Sequence, residues 1–203
     1  MKKIITIGRQ FGSGGAEIGK GLGEKLGIKC YDKEILYEAA KKSGMCEEIA
    51  QQYDEIGQQS FLYSLATTGG FVNGGNYQPI NAQLYTAQFQ LIRELAKKEE
   101  SCIFVGRCAD YILEDEKELL KVYIIADMDY RIERIAKSYE ISVKEAKKLI
   151  LKRDKQRTSY YNFYTSKKWS DVTGYDLCIN ASKIGTDGVI QMILDYLKLE
   201  KNV

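Results

Sequence analysis

The sequence predicts an α/β protein built on a doubly wound, five-stranded parallel sheet. Three observations predict it. Five short apolar runs rich in β-branched residues alternate with helix-patterned segments, as buried parallel strands joined by crossover helices do. The first run passes through a glycine-rich loop into a helix. Charged residues follow the C-terminal ends of the strands, the rim on which such sheets bind ligands.

Ile4, Ile5, Thr6 and Ile7 form a run too short for a core helix and read as the first buried strand. Gly8, Gly12, Gly14 and Gly15 lie in the loop after it, and Ile18, Leu22 and Leu26 then recur at helical spacing up to Gly27, a fitting C-terminal stop. Residues 28–32 make a second short strand, followed by a helix over 34–43. Residues 44–79 are polar and irregular, with a patchy helical signal over 47–65 and paired glycines at Gly69-Gly70 and Gly74-Gly75. That pattern predicts a flexible loop of the kind that serves as a lid or binding insert. A helix over 81–98 carries Leu84, Leu91, Ile92 and Leu95 on one side and leads to a strand at 102–105 that runs into Gly106 and Arg107. The next strand is 122–126, after which Asp127 reads as the cap of a helix bearing Arg131 and Arg134, with Mg²⁺ binding from the strand end as the alternative. Ser142 and Glu145 have capping-box spacing. The long helix they open puts Ala146, Leu149 and Ile150 inward, with Arg153, Arg157 and Tyr160 on nearly the same face. Residues 176–180 are the fifth strand and 185–199 a closing amphipathic helix. No internal repeat or composition shift divides the chain, so residues 1–203 read as one domain.

Composition narrows the function classes. Hydrophobic content of 44% and charged content of 29% are ordinary for a soluble domain. A net charge of +2 argues against nucleic-acid binding through bulk charge. Lys2 and Lys3 precede an apolar run that stops at Gly8, too short for a secretion signal or a membrane span, so a cytoplasmic protein with no membrane partner is expected. There is no histidine, and the five cysteines, Cys30, Cys46, Cys102, Cys108 and Cys178, form no CxxC pair. A zinc site and a histidine-dependent triad are therefore excluded or nearly so. Cys30, Cys102 and Cys178 fall in strand-like runs and read as small core residues.

Strand, glycine loop and helix together form a phosphate cradle, because the turn points several N–H groups at one anion beside the positive end of the helix dipole. A P-loop of the form GxxxxGK[ST] would place Lys and Ser or Thr after its last glycine. Here Gly12, Ser13 and Gly14 are followed by Gly15 and Ala16, and Arg9, Ser13 and Lys20 are the nearby groups that could substitute. Arg9, Asp32, Arg107 and Asp127 each follow a strand and so converge on the rim of the glycine loop. Arg153 and Arg157 share a helix face one turn apart, ahead of Tyr160, Tyr161, Phe163 and Tyr164. That cluster reads equally as a base-stacking, phosphate-holding patch or as a helix with tyrosines inward and arginines in water.

The stretches ITIGRQFGSGGAEIGKGLGEKLG, CYDKEILYEAA, IFVGRCADYIL, RDKQRTSYYNFY and YDLCINAS resemble the cytidylate kinase-like family, a divergent branch of the P-loop nucleoside monophosphate kinases. The resemblance covers nearly the whole chain. It implies a P-loop NTPase fold with an acceptor-binding insert at about 34–90, an arginine-bearing lid at about 153–169, and transfer of the ATP γ-phosphate to a nucleoside monophosphate such as CMP with Mg²⁺. It further implies phosphate-binding roles for Arg9, Gly12, Ser13, Gly14, Gly15, Ala16 and Lys20. Acceptor-side roles fall on Asp32, Lys33, Arg107 and Asp110, and catalytic roles on Arg107, Arg153 and Arg157. The chain departs from the family pattern where the P-loop Lys is absent, where Val105 replaces the first Asp of DGRD, and where Glu38 replaces a phosphate-binding Arg. A nucleotide-binding protein that has lost the chemistry, and a kinase for another small molecule, are the alternatives those departures leave. Metal ligands and oligomeric state are not legible.

Overall fold

The computed structural model describes residues 3–44 and 80–200. Five parallel strands form one sheet in the order β2-β3-β1-β4-β5. They are β1 (Ile4–Arg9), β2 (Lys29–Tyr31), β3 (Cys102–Val105), β4 (Leu119–Ile125) and β5 (Leu177–Asn180). β1 is central, with Ile5 opposite Ile103 on one side and Leu120 on the other. A strand covered on both faces has no polar alternation to keep, which is why Ile4, Ile5 and Ile7 are all fully buried. β4 begins three residues before the predicted start, because Leu119, Leu120 and Lys121 pair with Ile4, Ile5 and Thr6 despite the charge in the run.

Among the described residues the helices are α1 (Gly15–Leu26), α2 (Glu34–Lys42), α3 (Ile80–Lys98), α4 (Ala109–Ile112), α5 (Met128–Tyr139), α6 (Val143–Thr165) and α7 (Ala181–Glu200). α1 ends on Gly27 in the left-handed conformation, and α6 starts with the predicted reciprocal capping box between Ser142 and Glu145. Asp127 occupies the N-cap position of α5 without capping it. Its carboxylate accepts a hydrogen bond from Asn180 and pairs with Lys183, because β5 and the start of α7 run alongside. α7 is broken at Gly185 (φ 69°, ψ 177°), a conformation open essentially to glycine alone. Cys102 and Cys108 are buried, but Cys178 is exposed because β5 is the sheet's edge, which corrects its reading as a core residue. Cys46, the patchy helical signal over 47–65 and the glycine pairs at 69–70 and 74–75 lie outside the described residues.

The chain divides into two compact units, Met1–Asp32 with Glu99–Val203, and Lys33–Lys98. In the first, Ile18 and Leu22 of α1 pack with Ile5, Ile7, Ile103 and Val105 of the sheet and Val189, Ile190 and Ile193 of α7. In the second, α2 and α3 pack through Leu36, Ala40 and Leu84. Among the described residues no helix is long and apolar enough to cross a membrane.

Leu22 is fully buried whereas Leu26, one turn further along α1, is 36% exposed. Leu22→Ala should cost about 2–5 kcal/mol of unfolding free energy. Leu26→Ala should cost less than about 1 kcal/mol, and urea titrations of the two variants measure the contrast.

Candidate phosphate-binding site

The site begins where β1 ends. Gln10 continues the sheet for one residue, donating its N–H to Ile124 O at 3.0 Å, while its side-chain Oε1 accepts the N–H of Ala126 at 3.0 Å. The chain then turns through Phe11, Gly12 and Ser13, and Gly14 at φ 86° opens α1 with no side chain capping it. An uncapped helix start leaves its first-turn N–H groups without intrahelical acceptors, next to the positive end of the dipole. The Ser13 hydroxyl is fully buried and donates to Gln10 O at 2.9 Å, so it holds the loop's shape and does not face outward.

Arg9, the last residue of β1, lies under this helix start. A side chain at Gly15 would meet Arg9 Cβ at 2.5 Å, so only glycine lets α1 sit flat on the arginine stem. The guanidinium reaches Asp32 at the end of β2, with Nη2 donating to Oδ1 at 3.1 Å, and lies over Gly106. Gly106 opens a turn after β3 in which three successive residues, Gly106, Arg107 and Cys108, hold positive φ of 73°, 59° and 55°. Two of these are not glycine, and such residues cost of order 1–3 kcal/mol each to hold there. The turn is fixed by Gly106 N–H donating to Ile7 O at 3.0 Å, which carries Arg107 to the rim of β1.

Arg157 comes from α6. Its Nη1 donates to Arg9 O at 2.9 Å, and its guanidinium lies 5.5 Å from the Phe11 ring centroid. Burial, and then the nearby positive charge of Arg9, pull its pKa down to about 9, with Asp154 and Asp32 opposing and Arg107 adding to the depression. Arg157 stays charged at neutral pH. Arg9, Arg107 and Arg157 therefore share one electrostatic neighbourhood with Asp32 and Asp154.

The other predicted residues fall at varied distances from this centre. Gly12, Gly14 and Gly15 form the loop and Ala16 the exposed start of α1. Lys20 is exposed and lies five residues into α1, about 7 Å along the axis from Gly15. Arg153 is partly exposed, one turn before Arg157 on the same continuous helix. Asp110, in the short helix α4, accepts a hydrogen bond from Tyr161 of α6 at 2.6 Å. Lys33 sits at the N-cap position of α2 and Glu38 is exposed on that helix, both in the second unit.

Two residues that hold the site had no role in the sequence reading. Asp154 accepts the Phe11 N–H on Oδ1 at 2.7 Å and the Nη1 of Arg131 on Oδ2 at 2.5 Å. Arg131, 5% exposed, also donates to Phe11 O at 3.3 Å. The signal for Arg131 was present: Met128, Arg131 and Ile135 share a face of α5 with the buried residues, and an arginine on an apolar face needs a buried partner.

The family model described as the cytidylate kinase-like family matches residues 4–183. The chain belongs to that family. Among its relatives, a cytidylate kinase of Pyrococcus horikoshii is 30% identical over 201 residues, covering 97% of this chain and 90% of the relative. A cytidylate kinase of Archaeoglobus fulgidus is 29% identical over 205 residues, covering 97% and 96%. A crystal structure of a protein from Eubacterium ventriosum superposes with a TM-score of 0.74 at 31% identity, covering 97% of this chain and 99% of that one. Shikimate kinase from Bacteroides thetaiotaomicron, at 14% identity and a TM-score of 0.57, shares the fold. In this chain Gly15 and Ala16 stand where the P-loop pattern carries Lys and Ser or Thr, and Arg9 lies beneath the glycine loop.

Burial holds the Asp110 carboxyl above the usual range, offset in part by the Tyr161 hydrogen bond. A carboxyl whose pKa is raised on folding contributes stability below its unfolded pKa of about 3.9, and that contribution is lost as pH rises through the folded value. Asp110→Asn keeps an acceptor for Tyr161 and cannot ionise. Its stability relative to the parent should therefore rise from pH 4 to pH 7, measured by urea unfolding at the two pH values.

Proposed function

We propose that this chain is a nucleotide kinase that moves the γ-phosphate of ATP to a nucleoside monophosphate of the CMP class. The observation that carries the reading is the gathering of Arg9, Arg107 and Arg157 around the uncapped start of α1, with Arg157 Nη1 held on Arg9 O. Such a cluster suits a polyanion. Membership of the cytidylate kinase-like family and the cytidylate kinases among the relatives support the choice of nucleotide and acceptor.

In this reading the amides of residues 14–16 take the outer phosphates of ATP. Arg9 supplies the charge that a P-loop lysine otherwise brings, from the strand end instead of the helix start, and as a fork rather than a point charge. Arg107 clamps the acceptor phosphate, held by a turn whose strain is already met in the folded state. Asp32, Lys33 and Asp110 belong to the acceptor side. Arg153 and Arg157 neutralise charge spread over the transferring group. Phosphoryl transfer of this kind needs positioning and charge stabilisation and no covalent nucleophile, so the absence of histidine is no obstacle. Lys20 contributes to the surrounding field.

Magnesium fits as an ion carried on the substrate. Among the described residues no group of three or more His, Cys, Asp or Glu could hold a metal, and Ala16 offers no hydroxyl. Asp32 is the rim carboxylate that would hold the ion, and Mg²⁺ accepts such a site because it keeps several waters and binds through one or two carboxylates and phosphates. When bound it would supply charge neutralisation to the phosphates of ATP.

A second reading, a nucleotide-binding protein without turnover, is favoured by the missing lysine and by Arg157 being spent on Arg9 O. A coupled assay of ADP release with ATP, Mg²⁺ and CMP, UMP, dCMP, AMP or GMP separates the two. The kinase reading expects turnover with a pyrimidine monophosphate, and loss of about 10³–10⁵-fold in Arg107→Ala while the unfolding midpoint is kept. Intact turnover in that variant contradicts the role of Arg107, and no turnover with any acceptor favours the binding protein.

A further inference from the structure

The phosphate-site reading leaves one group at its edge without a purpose. Asp154 has no role assigned to it in that reading, yet it holds the backbone at the start of the glycine loop directly. Its two oxygens are divided between the Phe11 N–H (2.7 Å) and Arg131 Nη1 (2.5 Å), and the same Arg131 nitrogen returns to Phe11 O (3.3 Å). Both polar groups of the Phe11 peptide unit are thereby held from one carboxylate–guanidinium pair. Arg157, three residues after Asp154 on α6, holds Arg9 O. The segment 9–11 is thus gripped at both ends by one face of α6. Phe11, partly buried, packs against Ile132, Ile135, Ala146 and Ile150, and a side chain at Gly12 would meet Ile135 Cγ1 at 3.0 Å and Arg131 O at 3.2 Å.

We infer that Asp154, with Arg131, is a positioning residue for the phosphate loop: it fixes the backbone of Phe11 so that the amides of residues 14–16 stand ready for phosphate, and it locks the helix carrying Arg153 and Arg157 to that loop. The inference rests on the phosphate-site reading. Hydrogen bonds to an ionised acceptor are shorter and stronger than neutral ones, and a donor array preorganised before the ligand arrives binds it without paying for ordering.

The obvious variant, Asp154→Ala, leaves Arg131 buried and unpaired and is prone to unfold. The test therefore uses Asp154→Leu combined with Arg131→Met, which removes both charges and keeps apolar volume, together with Asp154→Asn, which keeps an acceptor for the Phe11 N–H. On the full chain, two quantities are read: hydrogen exchange of the Phe11 amide without ligand, and the Kd of a non-hydrolysable ATP analogue with Mg²⁺. Thermal unfolding establishes that each variant is folded. The expected result is at least tenfold faster Phe11 exchange and at least tenfold weaker analogue binding in the double variant, with smaller losses in Asp154→Asn. A folded double variant that binds the analogue as the parent does overturns the inference alone. A parent chain that binds no analogue overturns the phosphate-site reading and the inference with it, and the two failures are distinguished by that parent measurement.

Discussion

The constraint on which the rest depends is the accounting of backbone groups where the central strand leaves the sheet. A turn that emerges from a fully buried strand cannot leave its amides and carbonyls unpaired without penalty. Here Arg9 O takes Arg157, Gln10 N finds Ile124 O, Gln10 O takes the Ser13 hydroxyl and amide, Phe11 N finds Asp154 and Phe11 O takes Arg131. Only after Ser13 do the N–H groups face a helix start that no side chain caps. The loop is rigid up to the point where it becomes receptive, and three elements, β4, α5 and α6, are committed to keeping it so.

In the proposed reading, the charge that a lysine in the first turn of α1 would bring comes instead from below, on Arg9, whose stem needs glycine at 15 and whose head needs glycine at 106. Gly106 is also the first residue of the left-handed turn that delivers Arg107, so one small residue serves both arginines. Burial, with the positive charges of Arg9 and Arg107 adding to it, lowers the pKa of Arg157, and a bound polyanion would raise it again. Asp110 and Tyr161 brace the same turn from α6, beside Tyr123, Tyr175 and Trp169, which pack in stacked and edge-on contacts.

Much of this was legible in the sequence because it is local. Buried strands announce themselves as runs such as Ile4 to Ile7, and the ends of helices as Gly27 or the Ser142–Glu145 pair, each decided within a few residues. Arg9, Asp32 and Arg107 followed from the rule that strand ends share a rim. What was not legible depends on long-range pairing. Nothing within reach of Asp154 in the chain says that its partner is an amide 143 residues away, and Arg131 read as one of two helix arginines although its burial marks it as a different kind of residue. Lys20 was suggested by nearness in sequence, which a helix converts into distance along its axis. Asp127 was read as a cap and serves a lateral contact, because β5 delivers Asn180 beside it.

The central claim is that the start of α1 with its arginines is a site for the phosphates of a nucleoside triphosphate, adjacent to a separate site for a monophosphate. Calorimetric titration of the whole chain tests it most directly, first with a non-hydrolysable ATP analogue and Mg²⁺ and then with CMP added to the saturated complex. The account predicts two saturable binding events, the second persisting when the first site is full. Absence of heat from the analogue at millimolar concentration, or displacement of the analogue by CMP from one shared site, would contradict it.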